Sequence, residues 1–448
     1  MDLPEKRRPV QPASPSEQPV SQPQSSSSSS LSPSAQSDET ELAGAVVPKT
    51  AAERALARDK ANWMKPWVQL KYFSFHPCIY PAMVRAASPG TRPGQIVNVY
   101  DPDGYPFGQG FYNHRAKVPL RMFHHGEDHP GEAQLEALLE QAIALRVDIL
   151  ELPKVTDAFR VVHSDGDCLS GLVVDRFGDV LSLEVHSLGV YARLSRWLPM
   201  LHERLGTKRA VVQVDPWIAR MEGISIDPSL SQPVRNVRIR EHGVTYEVDF
   251  ASGHKTGFFC DQRDNRLRAS QLAKGQRVLD LCCYTGGFAV AAKVRGGAAE
   301  VTGVDLDEDS IAQAKRNANL NQARIEWVHV DAFSYGRQMM KNTGRWGLVI
   351  ADPPKFVTSR DEMPLARRKY EDINALAAGL TTVGGWLVTF SCSGLLTAED
   401  FEALVIRGVH RQGRRLQIID RTGPGGDHPV MSNCPESRYL KALWCRVW

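Results

Sequence analysis

The hydrophobic pattern of the last 200 residues alternates short apolar runs with longer amphipathic stretches. Five runs rich in β-branched residues each precede a segment with helical periodicity. This alternation predicts a parallel, doubly wound α/β sheet. The five runs are 278–281, 301–306, 325–330, 348–351 and 386–390, and two further runs, 416–420 and 443–448, would complete seven strands.

The preceding residues follow two other patterns. Residues 130–245 mix helical stretches (134–149 and 191–205) with strand-like stretches (159–174 and 180–186), which predicts a central α+β domain. Residues 61–125 contain short strand patterns, such as 95–100 and 107–112 around a turn at 101–104, which predicts a small β-rich domain. Residues 246–448 would then form the α/β domain.

The N-terminal segment lacks the apolar residues that a folded core needs. Between residues 11 and 40, Ser, Pro and Gln supply 22 of 30 positions. Such a composition does not bury enough apolar surface to offset the entropy lost on ordering. We therefore expect residues 1–50 to be a disordered extension that activity does not require.

The composition excludes a wholly disordered chain. The 448 residues are 42% hydrophobic and 23% charged, which is typical of a globular chain, and the net charge of +3 does not by itself indicate a nucleic-acid partner. Residues 61–123, however, carry seven basic against two acidic residues, interleaved with many aromatics. This combination favours an RNA-binding surface, although a β-barrel core with a solvated rim would explain most of the aromatics equally well.

The eight cysteines form no C-x-x-C pair, and no histidine cluster has metal-ligand spacing. We expect a reduced, cytoplasmic protein that holds no metal. The basic residues Lys6, Arg7 and Arg8 are not followed by the apolar stretch of an export signal. The uncharged stretch at 374–398 is interrupted by Thr, Ser and Gly, which predicts a helix, a turn and a strand, and no association with a membrane is expected.

Acidic residues stand at the ends of the first four predicted strands of the α/β domain. Open α/β sheets bind ligands beyond the carboxyl ends of their strands. The G-x-G-x-x-G fingerprint is absent, and Asp280 would repel a pyrophosphate, so a phosphate-free cofactor is favoured. S-adenosylmethionine (SAM) fits, with Asp280 and the turn at the amino acid, Asp305 at the ribose and Asp331 at the adenine amine. The predicted cofactor residues are Asp280, Tyr284, Gly286, Gly287, Asp305 and Asp331. Each acid alone could instead be a helix cap.

Seven short motifs are distributed over residues 70–448: His76-Pro77, Asp175-Arg176-Phe177-Gly178, Gly253-His254-Lys255-Thr256-Gly257, Asp261-Gln262-Arg263, Tyr284-Thr285-Gly286-Gly287-Phe288-Ala289, Asp352-Pro353-Pro354-Lys355-Phe356 and Ser391-Cys392-Ser393-Gly394. With these motifs the sequence resembles the class I methyltransferases, and more closely the bacterial large-subunit ribosomal RNA cytosine-5 methyltransferases that carry an N-terminal PUA domain. The sequence departs from that family in its N-terminal extension and in Cys78, where a bulky aromatic is usual.

The resemblance implies a Rossmann-like, seven-stranded methyltransferase domain and a PUA-like RNA-binding domain, with 5-methylcytosine in large-subunit ribosomal RNA as the product. Methylation at carbon 5 of a pyrimidine requires a nucleophile at carbon 6, and Cys392 is the candidate. Asp352 would hold the N3 and amine edge of the cytosine, Phe356 would stack on the base, and Lys355 would contact RNA or lower the pKa of the thiol. Cys282, Cys283 and Cys445 are expected to be packing residues.

Three further residues precede the first strand of the α/β domain. Lys255, Gln262 and Arg263 would close over the methionine carboxylate of the cofactor, or would only hold the domains together. Two other functions remain open at this point: methylation of an exocyclic amine of an rRNA base, which Asp352-Pro353-Pro354 favours, and a non-catalytic RNA-binding assembly factor. The oligomeric state, including a homodimer, also remains open.

Overall fold

A seven-stranded sheet forms the C-terminal part of the computed structural model, which describes residues 50, 52, 56, 58–250, 258–357 and 359–448. The strand order is β15-β14-β13-β16-β17-β19-β18. Neighbouring strands from β15 to β17 are parallel, whereas β19 runs antiparallel to both β17 and β18. The strands are β13 (Arg277–Leu281), β14 (Glu300–Asp305), β15 (Glu326–His329), β16 (Trp346–Ala351), β17 (Thr381–Ser391), β18 (Leu416–Thr422) and β19 (Lys441–Val447).

Helices cover both faces of this sheet, as the predicted alternation requires. Leu279 and Val349 pack into one core cluster, and Val278 and Leu348 pack into another, because side chains alternate between the two faces of a strand. The doubly wound fold predicted from the pattern is therefore confirmed. The helices are α5 (Arg263–Leu272), α6 (Gly287–Val294), α7 (Glu308–Leu320), α8 (Ala332–Lys341), α9 (Met363–Leu380) and α10 (Ala398–His410).

The helix, turn and strand predicted at 374–398 can be compared with the structure around β17. The turn expected between helix and strand is wrong, because α9 ends at Leu380 and β17 begins at Thr381 without a connecting loop. The Thr381 hydroxyl donates a hydrogen bond to the carbonyl of Ala377 at 2.8 Å, which caps the helix at the point where the strand begins. At the next helix, α10, Thr397 is the N-terminal cap, since its side chain accepts a hydrogen bond from the Asp400 N–H at 3.1 Å.

A six-stranded sheet of order β2-β6-β5-β4-β1-β3 forms the N-terminal β-rich unit. Its core contains Val68, Leu70, Ile79, Val97 and Leu120, all fully buried. The strands are β1 (Trp67–Leu70), β2 (Cys78–Ile79), β3 (Val84–Ala87), β4 (Gln95–Tyr100), β5 (Pro106–Tyr112) and β6 (Leu120–His125).

The central region combines a four-stranded sheet of order β10-β9-β8-β7 with four helices, and a hairpin of β11 and β12 follows it. The strand predicted at 159–174 is two strands, because a turn at Ser164–Asp167 separates them. The strands are β7 (Ala158–His163), β8 (Leu172–Phe177), β9 (Val180–Val185), β10 (Arg209–Gln213), β11 (Asn236–Glu241) and β12 (Val244–Asp249). The helices are α1 (Glu132–Ala144), α2 (Leu188–Tyr191), α3 (Leu194–Leu205) and α4 (Pro216–Glu222).

Within the described part of the chain, no helix has the length and apolar character needed to cross a membrane. The predicted extension at 1–50 lies outside the described residues except for Thr50, and its disorder stays a prediction.

Candidate active site

The turn between β13 and α6 is the first element of the site. Its backbone enters the left-handed region three times, at Cys282 (φ 62°), Tyr284 (φ 49°) and Gly286 (φ 79°). At Gly286 a Cβ would also lie 2.6 Å from the ring of Trp327. Glycine is thus required there by both the dihedral angle and the tryptophan, which lies on β15 beneath the turn.

Asp280 is buried one residue before the end of β13. Its Oδ2 accepts the N–H of Ala289 at 3.0 Å, in the first turns of α6, while Oδ1 has no hydrogen-bond partner among the described residues. Burial, followed by the charge of Asp352, raises the pKa of Asp280 well above its usual range. A positively charged ligand group at this position would offset both effects.

Asp305 ends the neighbouring strand β14, and its carboxylate is fixed against the turn. Its Oδ2 accepts the N–H of Tyr284 at 2.8 Å, and its Oδ1 accepts the N–H of Asp307 at 2.9 Å. Each carboxylate oxygen retains a second lone pair. Asp305 therefore presents two aligned acceptors, which suits the two hydroxyls of a ribose.

Asp331 follows β15 and serves as a helix cap. Its Oδ2 accepts hydrogen bonds from the N–H and the hydroxyl of Ser334, both at 2.9 Å, at the start of α8. The capping alternative noted from the sequence is thus realised, and contact with an adenine amine stays a prediction.

Asp352 follows β16 and carries a perturbed carboxyl group. Gln262 donates its side-chain N–H to Asp352 Oδ2 at 3.0 Å. Burial, followed by the charge of Asp261, raises the pKa of Asp352 to about 7. Asp261 itself accepts a hydrogen bond from the Tyr439 hydroxyl at 2.7 Å. Asp352 therefore changes its protonation state near neutral pH, as general acids and bases do.

Cys392 lies in a turn that begins where β17 ends. It is half-buried, whereas its neighbours Ser391 and Ser393 are fully buried. The Tyr370 hydroxyl joins the two serine side chains, at 3.0 Å from Ser391 Oγ and 2.8 Å from Ser393 Oγ. The polar flanks of Cys392 therefore hold the turn in one conformation and do not contact solvent.

Asp352 and Cys392 emerge at the same edge of the sheet. Strands β16 and β17 are parallel neighbours, and Ala351 pairs with Thr389. Each functional residue follows its strand within a few positions of that pair. The carboxyl and the thiol are thus brought to one side of the site by the sheet itself.

Comparison with known proteins bears on these features. Residues 223–424 match the model of the S-adenosylmethionine-dependent methyltransferases, and residues 64–125 match that of a PUA-like domain. The chain is 33% identical over 379 residues to "Ribosomal RNA large subunit methyltransferase I" of Salmonella arizonae, which covers 83% of this chain and 94% of the relative. The chain belongs to this methyltransferase family. The protein of the same name from Alteromonas mediterranea is also 33% identical, over 378 residues, covering 83% of this chain and 95% of that protein.

The fold has a counterpart among solved structures. The structure of the methyltransferase SMU.776, complexed with SAH, superposes with a TM-score of 0.70 at 21% identity, covering 86% of this chain and 100% of that chain. The expected class I fold with an N-terminal PUA-like domain is confirmed, and so is the expectation of a SAM-dependent enzyme. An idle assembly factor is correspondingly disfavoured.

The site of this methyltransferase fits its cofactor in two respects. A SAM molecule carries a sulfonium and an ammonium, and in the turn region the charges of Asp352 and Asp305 both act on the buried Asp280. Two buried polar atoms, Asp280 Oδ1 and the Tyr284 hydroxyl, lack partners among the residues that the structure describes. Buried polar atoms without a partner are rare and are candidates to bind a ligand.

Arg263 occupies a different place from the one expected at a cofactor carboxylate. Its guanidinium is 1% exposed and makes a bidentate ion pair with Asp427 at 2.9 and 3.0 Å. Asp427 in turn accepts the backbone N–H of Arg160 in the central region at 3.0 Å. Of the two roles considered for Arg263, the contacts match the one that holds domains together, because the charge of its guanidinium is already paired. Gln262 contacts Asp352 instead of facing the solvent, and Lys255 lies outside the described residues.

The two residues after Asp352-Pro353-Pro354 differ in their surroundings. Lys355 is exposed, as an RNA contact requires. Phe356 is half-buried, with its ring 4.9 Å from that of Tyr370 in an edge-on arrangement and with Lys369 over it at 5.4 Å. A base-stacking role for Phe356 stays a prediction, since one side of its ring already contacts the protein.

Residues that sequence patterns did not single out also belong to the site. Tyr370 and Lys441 hold the Cys392 turn, the charge of Asp261 acts on Asp352, and the Tyr439 hydroxyl donates to Asp261. Their signal in the sequence is weak because each lies far along the chain from the residue it contacts. Only Asp261, in the motif Asp261-Gln262-Arg263, stood within a stretch that the resemblance had marked.

One group of potential metal ligands occurs in the described ranges, although none was expected. The ligand atoms of His76, Cys434 and Glu436 lie within 4.8 Å of one another. His76 Nε2 lies 3.4 Å from the Glu436 carboxylate, an ordinary ion-pair contact between the PUA-like unit and the loop before β19. The absence of a metal stays a prediction.

Proposed function

We propose that this chain transfers a methyl group to carbon 5 of a cytosine in large-subunit ribosomal RNA through a covalent adduct with Cys392. The observation that carries the proposal is the placement of the Cys392 thiol and the Asp352 carboxyl at one edge of the sheet, on adjacent parallel strands. One group supplies a nucleophile, and the other binds the polar edge of a base.

Cys392 provides the nucleophile. Its thiolate adds to carbon 6 of the flipped cytosine, the electron pair of the C5–C6 double bond shifts to C4–C5, and the pair of the C4–N3 double bond moves to N3. Carbon 5 thereby becomes the nucleophilic carbon of an enamine. SAM, when bound, supplies the methyl group that carbon 5 accepts. A base then removes the proton from carbon 5, the double bond re-forms, and the Cys392 thiolate leaves carbon 6.

Asp352 binds the N3 and amine edge of the cytosine. With its pKa at about 7, the carboxyl is substantially protonated at neutral pH and donates a hydrogen bond to N3 while accepting one from the amine. A proton at N3 withdraws electrons from the ring and favours attack at carbon 6. Gln262 holds Oδ2 of Asp352 and so orients the carboxyl.

The PUA-like unit contributes RNA contact. Four aromatic side chains near β1 and β2 are 46–59% exposed, namely Tyr72, Phe73, Phe75 and Tyr80, and Lys71 lies over the ring of Tyr72. Exposed aromatic rings beside cations stack bases and bind phosphates. Ribosomal RNA is the substrate named in the relatives, and we propose it for this chain.

We further propose that the enzyme works in the cytoplasm, where all eight cysteines remain the free thiols that the structure contains. A homodimer stays a prediction, and light scattering on the purified chain tests it.

Methylation of an exocyclic amine is the second candidate. Asp352 followed by Pro353 and Pro354 favours it, because an acid and a proline carbonyl together bind an amine. That reaction makes no use of Cys392, so the two candidates differ in whether methylation depends on this residue.

The test is to methylate large-subunit RNA with labelled SAM and to identify the modified nucleoside by mass spectrometry. We expect 5-methylcytidine, with its formation abolished by Cys392→Ala. Cys445→Ala is the matched control, because Cys445 is a buried thiol of the same sheet and should lose only stability. A methyl group on an exocyclic nitrogen, formed equally well by Cys392→Ala, would replace the proposal with the second candidate.

A further inference from the structure

Lys441 is a buried cation at the start of β19. The residue is 9% exposed, and it pairs with Ser391 across the antiparallel β17–β19 ladder. Its Nζ donates hydrogen bonds to the carbonyls of Ser393 at 2.6 Å and Tyr439 at 2.9 Å. The ammonium thus lies against the turn that contains Cys392.

The surroundings of Lys441 lack an obvious counter-ion. Among the described residues, no carboxylate forms an ion pair with its Nζ, and the two charged groups that act on it are Cys392 and Lys355. Neutral carbonyls satisfy two of its three donors but do not neutralise its charge. Buried charges are ordinarily paired, because an isolated one is costly. Of the two groups, only Cys392 can become an anion.

We propose that Lys441 is the counter-ion of the Cys392 thiolate and that it keeps this thiol ionised and in position for attack. This proposal rests on the assignment of Cys392 as the nucleophile and adds the group that activates it. Lys441 is a positioning residue in this account, since it acts through Cys392 and not on the RNA.

The protonation behaviour of the neighbours is compatible with this role. Burial lowers the pKa of Lys441 to about 8, so its ammonium is the main form at pH 7 and is lost as the pH rises through 8. In the described ranges, the titratable side chains coupled to the turn include Lys441 from β19, Lys355 from the loop after β16 and Tyr370 from α9. Burial, and to a lesser extent Cys392 itself, raises the pKa of Tyr370, which therefore stays neutral at pH 7. Lys355 is exposed and screened by solvent, so the buried ammonium of Lys441 acts on the turn more strongly than Lys355 does.

The test measures the alkylation rate of Cys392 by iodoacetamide from pH 6 to 9.5, peptide by peptide, in the full chain. Lys441→Gln and Lys441→Met remove the charge, and Gln keeps a hydrogen-bond donor for the two carbonyls. Lys441→Arg keeps the charge. Because an opposite charge at close range shifts a titration by one unit or more, we expect both neutral variants to move the midpoint upward by about one pH unit and to slow the reaction at pH 7 about tenfold. Lys441→Arg should stay closer to the wild type.

Cys168 is the internal control, because it is also half-buried and lies in the central region, where no variant should change its rate. An unchanged Cys392 midpoint in Lys441→Gln would overturn the proposal, and so would an equal shift in Lys441→Arg, which would indicate shape instead of charge. Alkylation does not require methyl transfer. Methyl transfer retained by Cys392→Ala would therefore refute the role of Cys392 as the nucleophile. The midpoints of Cys392 alkylation test only the role of Lys441.

Discussion

The ion pair between Arg263 and Asp427 allows a quantitative prediction, because both side chains are almost completely buried. Their exposed fractions are 1% and 0%, and the two hydrogen bonds are 2.9 and 3.0 Å long. We choose Asp427→Asn, which removes the negative charge and nearly preserves the shape. The guanidinium of Arg263 then stays buried with the half-exposed Asp264 at 3.1 Å from Nε, while the charge of Glu241 acts on it without a direct contact.

Breaking a buried pair by removing one partner costs about 3–5 kcal/mol of the free energy of unfolding. We expect the lower part of that range, because Asp264 still contacts Arg263. The effect also depends on pH. Burial alone would raise the pKa of Asp427, but His428 and Arg263 outweigh it and hold that pKa well below the usual range. A carboxyl with a depressed folded-state pKa contributes stability above its unfolded pKa, and the contribution is lost as the pH falls. The difference between wild type and variant should shrink below about pH 4.

Urea unfolding followed by tryptophan fluorescence measures this difference. The matched control is Glu300→Gln, which breaks the exposed pair of Arg277 and Glu300 (52% and 68% exposed) and should cost less than about 1 kcal/mol. Calorimetry on the folded Asp427→Asn protein should give nearly unchanged affinity for SAM. A stability equal to the wild type, or a SAM affinity that falls while stability does not, would refute the structural role of Arg263 and restore its place at the cofactor.

Three further predictions concern the cofactor, the base and the N-terminus. Asp305→Ala should weaken SAM binding by about 1–3 kcal/mol in calorimetry, because hydrogen bonds to a charged group are lost, while RNA binding in a filter assay should persist; unchanged SAM affinity in the folded variant would contradict this. Asp352 has a pKa of about 7 and acts when protonated, so the single-turnover methylation rate should fall as the pH rises through 7. Asp261→Asn should move this decrease to lower pH, because it removes one cause of the raised pKa of Asp352, and a decrease at the same pH would exclude Asp352 as its source. Deleting residues 1–49 should leave methylation unchanged, whereas a protease-resistant N-terminus or a large loss of activity would count against the expected disorder.

The sheet and the order of its acids were predictable because they depend on local patterns. Apart from Asp280, the run 278–281 is apolar because β13 is covered on both faces. Asp280 and Asp305 stand near the carboxyl ends of adjacent parallel strands, which meet at one edge of the sheet. The position of Cys392 followed from the same rule, applied to the end of β17. These predictions need only the period of the pattern and the topology of the fold.

The partners of the site residues were not predictable in the same way. Arg263 contacts Asp427, which lies 164 positions away in the sequence, and Lys441 contacts Ser393, which lies 48 positions away. A hydrophobic pattern within one helix or strand carries no information about such contacts. Gly286 was predicted only as a cofactor residue, whereas the ring of Trp327 also requires a glycine at this position. Such contacts depend on how separate elements pack, and only the three-dimensional structure specifies them.

The central claim is a covalent bond between Cys392 and carbon 6 of a cytosine, and trapping that bond tests it most directly. With 5-fluorocytosine in the RNA, fluorine replaces the proton that must leave carbon 5, so the adduct should persist. We predict a protein–RNA species that survives denaturing gels, requires SAM, and is absent from Cys392→Ala but present in Cys445→Ala. An equal yield of the species from Cys392→Ala, or no trapped species from a wild-type enzyme that methylates unmodified RNA, would contradict the account.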